Sequence, residues 1–364
     1  MTEVNITESF KKDFAQQLLN WYDRNHRKLP WRRTENPYHI WLAEVMLQQT
    51  QVATVIPYYE RFLKFKPSIR HVAETSLSEL LKLWEGLGYY ARARNFHKAA
   101  RVIVQSYGGK LPDTYQALSK LPGFGPYTTA AVLSIAFNQK YAVLDGNVTR
   151  VLCRVFKIEV ELEQSRARKY LNELAQALIA EARPGDYNQA IMELGALICT
   201  AALPKCFKCP VQIYCQAQEL DDPSILPKRI KKKRTPHYDV TAGVIWKEEK
   251  LLIAQRFQHG MLGGLWEFPG GKLEPNETLE ECLVREIQEE LDFSIRIKKP
   301  FLTIKHAYTH FKITMHVFQC DYLSGEPKAI ECADWRWIEP DELDQFAFSR
   351  ADQKVIEHLK SEIP

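Results

Sequence analysis

Apolar residues recur at three- and four-residue spacing through 41–62 (Trp41, Leu42, Val45, Met46, Val52, Val55, Ile56), 76–84, 127–137 and 168–181. That is the period of helices with one face turned to a core. The pattern changes beyond Tyr238. Asp239–Trp246 and Leu251–Phe257 read as strands joined by the polar turn Lys247–Lys250, a helix follows at about 278–291, and strand-like stretches occupy 301–307 and 312–320. Between the two regimes, Asp221-Asp222-Pro223 and Leu226-Pro227 break the helical pattern. Lys228-Arg229-Ile230-Lys231-Lys232-Lys233-Arg234 then places six positive charges in seven residues. A chain of 364 residues is too long for one ordinary core. The expected organisation is multidomain: an all-α domain over 1–217, a basic linker over 218–237 and an α/β domain over 238–364. There is no internal repeat, and no low-complexity tract apart from the linker.

Charge sharpens this division. Residues 1–235 carry 34 Lys/Arg against 22 Asp/Glu, a net of +12, whereas 236–364 carry 15 against 23, a net of −8. A basic first part suits a polyanionic partner, and the linker either stays solvated or rides on phosphates. The start, MTEVNITESFKKDF, has no apolar run of a signal peptide, and the ~20 apolar residues of a membrane span occur nowhere. The expectation is a soluble, cytoplasmic, DNA-associated monomer with no membrane partner.

Four of the eight cysteines, Cys199, Cys206, Cys209 and Cys215, fall within 17 residues as Cys-x6-Cys-x2-Cys-x5-Cys. Structural zinc usually uses two close pairs or a Cys pair followed by a His pair. Here one central Cys-x2-Cys has single cysteines on either side and no His inside the segment, a layout suited to the corners of a 4Fe-4S cluster. Structural zinc and four unrelated core thiols are the competing readings.

Leu121-Pro122-Gly123-Phe124-Gly125-Pro126-Tyr127 ends one helical pattern and opens another. Gly123 and Gly125 permit a tight turn whose N–H groups point outward at a helix N-terminus, which is an anion site; a plain helix–helix connection is the alternative. Asp145, in Leu144-Asp145-Gly146-Asn147-Val148-Thr149-Arg150, either caps the next helix or bears on chemistry. Glu44 sits in the apolar helix Ile40–Leu47. On a solvated face it would be ordinary; buried, its pKa rises and it becomes a proton donor near neutral pH.

Together these features resemble the helix-hairpin-helix base-excision glycosylases, and within them the MutY-type adenine DNA glycosylases. The matching segments are Leu29–Arg32, Glu44–Thr50, Trp84–Tyr90, the Gly-rich hairpin, Leu144–Arg150 and Glu193–Ala196 running into Cys199. The resemblance implies excision of adenine opposite 8-oxoguanine or guanine in double-stranded DNA. Glu44 would be the acid, Asp145 the stabiliser of positive charge on the sugar, and Tyr127 would lie beside that sugar. Relatives resembling endonuclease III carry a Schiff-base lysine at the position of Tyr127, so a lyase step is not expected. Arg32 and Gln189 resemble adenine-pocket residues, and Gln49, Thr50, Leu87 and Tyr89 resemble the wedge that enters the base stack. The cysteine loop, with Lys205 and Lys208, would track the DNA backbone.

The second part contains Gly271-x5-Glu277-x7-Arg285-Glu286-Ile287-x-Glu289-Glu290-x-Asp292, preceded by Glu267–Lys272. It resembles the box of Nudix (MutT-like) pyrophosphohydrolases, with Asp292 replacing a terminal glycine. Glu286, Glu289 and Glu290 share a helix face, and their crowding calls for Mg²⁺ or Mn²⁺, unless the face is merely acidic. The resemblance implies an α/β domain that reads 8-oxoguanine. The box carboxylates, usually absent from such a domain, are kept here, which leaves 8-oxo-dGTP hydrolysis as the alternative. Asp352 falls where the hydrolases hold the oxidised guanine. Tyr308-Thr309-His310 stands in place of the family's Phe-Ser-His recognition loop.

Overall fold

The structure is a computed structural model and describes residues 6–159, 161, 165–228 and 235–362. Positions 229–234 of the basic linker lie outside the described residues. Helices α1 (Glu8–Asn25), α2 (Pro37–Leu47), α3 (Val52–Phe65), α4 (Ile69–Glu74), α5 (Leu77–Trp84) and α6 (Ala91–Tyr107) come first. They are followed by α7 (Tyr115–Leu118), α8 (Pro126–Phe137), α9 (Gly146–Val155), α10 (Ser165–Leu178) and α11 (Pro184–Leu197). The continuous apolar pattern over 41–62 is thus two helices, α2 and α3. They part at Gln48–Gln51, where Gln49 takes a left-handed φ of 58°. Among the described residues, no helix is long and apolar enough to cross a membrane.

The chain forms two compact units: Met1–Ala73 with Lys98–Lys232, and Glu74–His97 with Lys233–Pro364. The second unit therefore takes in a helical stretch that periodicity alone placed with the first. The reason is non-local. Lys82 and Glu85 hydrogen-bond the main chain at Phe346 and Phe348, contacts that no pattern within 74–97 announces.

In the first unit, α1, α8, α9, α10 and α11 share one apolar core. It brings α9 against α11 so tightly that a Cβ on Gly195 would lie 2.6 Å from the Asn147 Cβ. Glycine at 195 is what allows the N-terminus of α9, and with it Asp145, to seat against α11.

The second unit carries β1 (His237–Lys247), β2 (Lys250–Gln255), β3 (Trp266–Glu267), α12 (Leu279–Leu291), β4 (Ser294–Ala307), β5 (Lys312–Ser324), β6 (Asp334–Ile338) and α13 (Arg350–Glu362). The sheet order is β3-β2-β1-β5-β4, with β6 also paired to β2. β1 and β5 run parallel, Val240 opposite Met315, and the other pairs are antiparallel. Period-two alternation turns Val244, Leu251 and Ile253 towards α13, and Ile245, Leu252 and Ala254 towards α12. The result is a sheet between two helices. The paired strands β1, β2, β4 and β5 and the helix α12 match the sequence reading. β3, β6 and α13 were not anticipated, β3 because two residues carry no periodicity.

Candidate active site

Asn36 starts α2 by accepting a hydrogen bond from the Tyr38 N–H (3.0 Å), with Pro37 in the first turn. Ile40 through Met46 are all buried, and Glu44, 5 % exposed, is one of them. It is a core position, not a solvated helix face. Its partner comes from α8: the Tyr127 hydroxyl donates to Glu44 Oε2 at 2.8 Å and lies 3.3 Å from the Met192 Sδ. Burial pushes the Glu44 carboxyl up to about 7 against the Tyr127 hydrogen bond, which lowers it; the Asp145 charge raises it further and Arg32 opposes.

Asp145 caps α9. Its carboxylate accepts from the Val148 N–H (2.7 Å) and from Asn147 Nδ2 (2.9 Å). Capping and chemistry are not alternatives here, because Asp145 also lines the same open cleft as Glu44 and Tyr127, with a volume of ≈ 920 Å³. Burial raises the Asp145 pKa, and the Val148, Asn147 and Arg150 interactions only partly offset it.

Gly123 and Gly125 line this cleft as well, and they differ. Gly123 has φ 81°, a conformation that favours glycine. Gly125 is the extended N-cap of α8, and a Cβ there would meet nothing. Its missing side chain leaves the N-terminus of α8 bare, as an approaching anion would need. Gln49 and Thr50 also line the cleft.

Arg32 donates to Gln189 Oε1 (3.2 Å) and to both oxygens of Glu193 (3.1 and 3.0 Å), and Arg27 grips the same carboxylate. Glu193 is 1 % exposed. Burial alone would raise its pKa, but the hydrogen bonds from Arg27 and Arg32 outweigh it and hold the carboxyl at about 2. With its oxygen engaged by Arg32, Gln189 is left with its amide donor to present.

Cys199, Cys206, Cys209 and Cys215 line one small cavity together with Arg154. Arg154, 2 % exposed, donates to the Cys199 Sγ (3.3 Å) and to the carbonyls of Thr200, Ala201 and Leu226. Arg150 joins this loop to the carboxylate cleft, bonding Asn147 Oδ1 (2.9 Å) and the Cys199 carbonyl (2.7 Å). Among the described residues, no three His, Cys, Asp or Glu side chains converge as ligands of one metal ion.

In the second unit Tyr89 is 40 % exposed with φ 49°, whereas Leu87 is 5 % exposed. Of the two expected wedge residues there, Tyr89 is presented and Leu87 is packed away. Tyr89 and Thr309 share a 2.6 Å hydroxyl hydrogen bond, and Thr309 and His310 are exposed. Along α12, Arg285 pairs with Glu277 (2.7 Å), Glu286 and Glu289 (both 2.9 Å). Burial, then the charges of Glu267 and Glu286, push Glu290 up to about 8. Asp292 takes φ 53° after the helix, with its carboxylate held by Gln288 and Lys328. This explains the departure from glycine, because Asp tolerates the left-handed region better than most side chains.

Residues 42–177 match the family model of the HhH-GPD superfamily base excision DNA repair protein, and 241–358 that of the NUDIX domain. The chain is 36 % identical to the adenine DNA glycosylase of Rattus norvegicus, covering 94 % of this chain and 77 % of that one. The chain belongs to the adenine DNA glycosylase family. The adenine DNA glycosylase of Buchnera aphidicola subsp. Acyrthosiphon pisum is 32 % identical over 96 % of this chain and 98 % of its own. Among solved structures, a thermostable thymine-DNA glycosylase aligns with a TM-score of 0.54 at 32 % identity, covering 59 % of this chain and 99 % of that one. A non-covalent endonuclease III–DNA complex aligns at 0.51 with 23 % identity, over 59 % and 98 %, a likeness of fold.

This enzyme is thus a DNA glycosylase of base-excision repair, hydrolysing the N-glycosyl bond of adenine in DNA, with a Nudix-like domain in the same chain. Four supporting residues escaped the sequence reading as functional candidates: Arg27, Asn147, Arg150 and Glu193. Glu193 opens the Glu-Leu-Gly-Ala motif, but a helical Glu carries no sign of the two arginines it will bury against.

The Glu44 value sets a pH dependence. An acid must hold its proton, so single-turnover adenine release should be level below about pH 7 and fall above it. Because this carboxyl is raised in the folded state, the native protein binds more protons than the unfolded chain, and stability drops as pH rises towards 7. The cost of keeping the ionised group buried is on the order of 3 kcal/mol. Glu44→Gln should abolish release and raise the melting temperature at pH 8, without losing duplex binding. Retained turnover would remove Glu44 from the acid role.

Proposed function

We propose that the enzyme excises adenine lying opposite 8-oxoguanine, and opposite guanine, by hydrolysis without strand cleavage. The pairing of Tyr127 with a buried, proton-retaining Glu44 beside Asp145 carries this reading. Adenine is flipped from the duplex at a cost of roughly a few kcal/mol. Gln49, Thr50, Leu87 and Tyr89 act as the wedge, and Leu87 must leave its packed position to do so. Arg32 and Gln189 hold the base, Glu44 protonates it, and the glycosidic electron pair leaves with the adenine. Asp145 stabilises the cationic sugar until water adds. Position 127 bears a phenol and not an amine, so no Schiff base forms there and the product is an intact strand with an abasic site. Gly123 and Gly125 meet a backbone phosphate at the start of α8.

Tyr308, Thr309 and His310 read the 8-oxoguanine left in the duplex. With duplex oligonucleotides, adenine release should outpace that from A·G pairs, and strands should break only after alkali. Thr309→Ala should reduce the advantage of A·8-oxoguanine. Direct nicking would overturn the hydrolytic reading.

We take the four thiols as ligands of a 4Fe-4S cluster, supported by the one cavity they line together and by buried Arg154, which offers a compensating charge beside Cys199. Cys199, Cys206, Cys209 and Cys215 would be the corners. The group would fix the loop that carries Lys205 and Lys208 to the DNA backbone, and Arg150 would pass that rigidity to Asp145. Purified protein should contain about four irons and four sulfides per chain; stoichiometric zinc in their place would overturn this.

A second reading is favoured by the crowding of Glu267, Glu286 and Glu290, two of which burial pushes to about 7 and about 8. A divalent cation would relieve that crowding. Glu286, Glu289 and Glu290 would then hold Mg²⁺ or Mn²⁺ and the domain would hydrolyse 8-oxo-dGTP. Arg285 already neutralises Glu286 and Glu289, which favours recognition over hydrolysis. The expected result is no turnover of 8-oxo-dGTP with Mg²⁺; turnover that disappears in Glu289→Gln would establish the second activity.

A further inference from the structure

The second unit contains a pair of charged residues spent on main-chain atoms far away in sequence. Lys82 Nζ donates to the Phe346 carbonyl at 2.8 Å and to Glu85 Oε2 at 2.8 Å. The other oxygen of the same carboxylate, Glu85 Oε1, accepts from the Phe348 N–H at 2.8 Å. The pair thus grips one carbonyl and one N–H of a single three-residue segment, a fork that fixes its position and its rotation. Tyr90 adds a longer contact from its hydroxyl to the Phe348 carbonyl, 3.5 Å. Lys82 and Glu85 are each more than half buried, so water competes weakly for these bonds.

The gripped segment matters because of what it carries. On its other side, the Trp266 N–H bonds the Ala347 carbonyl at 2.8 Å, and the Phe348 ring stacks on Phe268 at 6.0 Å. Immediately after it, Ser349 Oγ donates to Asp352 Oδ2 at 2.6 Å, and Asp352 Oδ1 accepts from the Phe268 N–H at 3.3 Å. The Tyr308 side chain packs against the same apolar cluster that contains Phe346 and Phe348. Tyr308 begins the Tyr308-Thr309-His310 loop. The same stretch that supplies Lys82 and Glu85 also supplies Tyr89, whose hydroxyl meets Thr309 at 2.6 Å. The loop is therefore held at two neighbouring residues by two routes, and both begin within residues 82–90.

We infer that Lys82 and Glu85 are positioning residues that set the enzyme's preference for the base opposite adenine, acting through Phe346–Ser349 on Tyr308. The inference rests on the reading of residues 308–310 as the loop that meets 8-oxoguanine. Neither residue touches DNA in this role. Lys82 serves as a donor and Glu85 as an acceptor for main-chain groups, so the geometry needs a cation at 82 and a carboxylate at 85 in that order. A surface ion pair would tolerate exchange of the two; this fork does not, because a carboxylate at 82 would face the Phe346 carbonyl.

The test uses the full-length enzyme and single-turnover adenine release from A·8-oxoguanine and A·G duplexes, with thermal melts as the control for folding. Loss of one charge-assisted hydrogen bond corresponds to about a tenfold change. Lys82→Met and Glu85→Leu should each cut the A·8-oxoguanine to A·G rate ratio by about that factor, with A·G release changed less than threefold. Lys82→Arg, which keeps a donor, should restore most of the ratio, and the exchanged double variant Lys82→Glu/Glu85→Lys should not. Equal losses on both duplexes, or an unchanged ratio in folded Lys82→Met and Glu85→Leu, would overturn the clamp. Thr309→Ala separates the two layers. A ratio that collapses in Thr309→Ala yet survives both clamp variants overturns the clamp alone. A ratio untouched in Thr309→Ala and His310→Ala overturns the loop reading, and the clamp with it.

Discussion

Burial of one carboxylate governs the glycosylase half. Water would hold Glu44 ionised at neutral pH and useless as an acid. The apolar run Ile40–Met46 removes that water, and the single strong partner left is the Tyr127 hydroxyl. A fold optimised for stability would not put a carboxylate there. The neighbouring residues must therefore supply enough apolar burial to tolerate it, as Ile40–Ala43, Val45 and Met46 of α2 do. Burial keeps the Glu44 carboxyl protonated towards neutral pH and makes its ionisation costly to the fold.

The second carboxylate solves the opposite problem with the same materials. Asp145 stands at the start of α9, where the Val148 N–H and Asn147 both favour a negative charge. Burial works against them, so the site keeps its two acids apart by a contest of hydrogen bonds, and not by a simple division into apolar and polar surroundings. Asn147 and Arg150 extend that contest to the Cys199 carbonyl, and Arg154 reaches the Cys199 Sγ. Order in the cysteine loop is thereby tied to the orientation of Asp145.

The Nudix-like unit uses charge differently. A single guanidinium on α12, Arg285, pairs with Glu286 and Glu289 and reaches Glu277 just before the helix. Thr309 and His310 are exposed on a loop whose Tyr308 packs against the apolar core and whose Thr309 hydroxyl is bonded to Tyr89.

Local chemistry made much of this visible in the sequence. Helical periodicity, the cysteine spacing, the Gly-x-Gly turn and the box carboxylates are all short-range patterns, dictated by backbone geometry or by the needs of a ligand. So the two kinds of domain were legible, and the same patterns singled out Glu44, Asp145, Tyr127 and the four thiols as candidates. Only the tertiary structure decided that Glu44 is a core residue, that Leu87 is packed away beside an exposed Tyr89, and that Arg27 and Arg32 converge on Glu193. It also decided that 74–97 belongs with the second unit. Each of these depends on which residues meet far apart along the chain, for example Glu44 with Tyr127 (83 apart) and Glu85 with Phe348 (263 apart). A pattern of 3.6 or 2 reports which face of an element is buried; it carries no information about what that face is buried against.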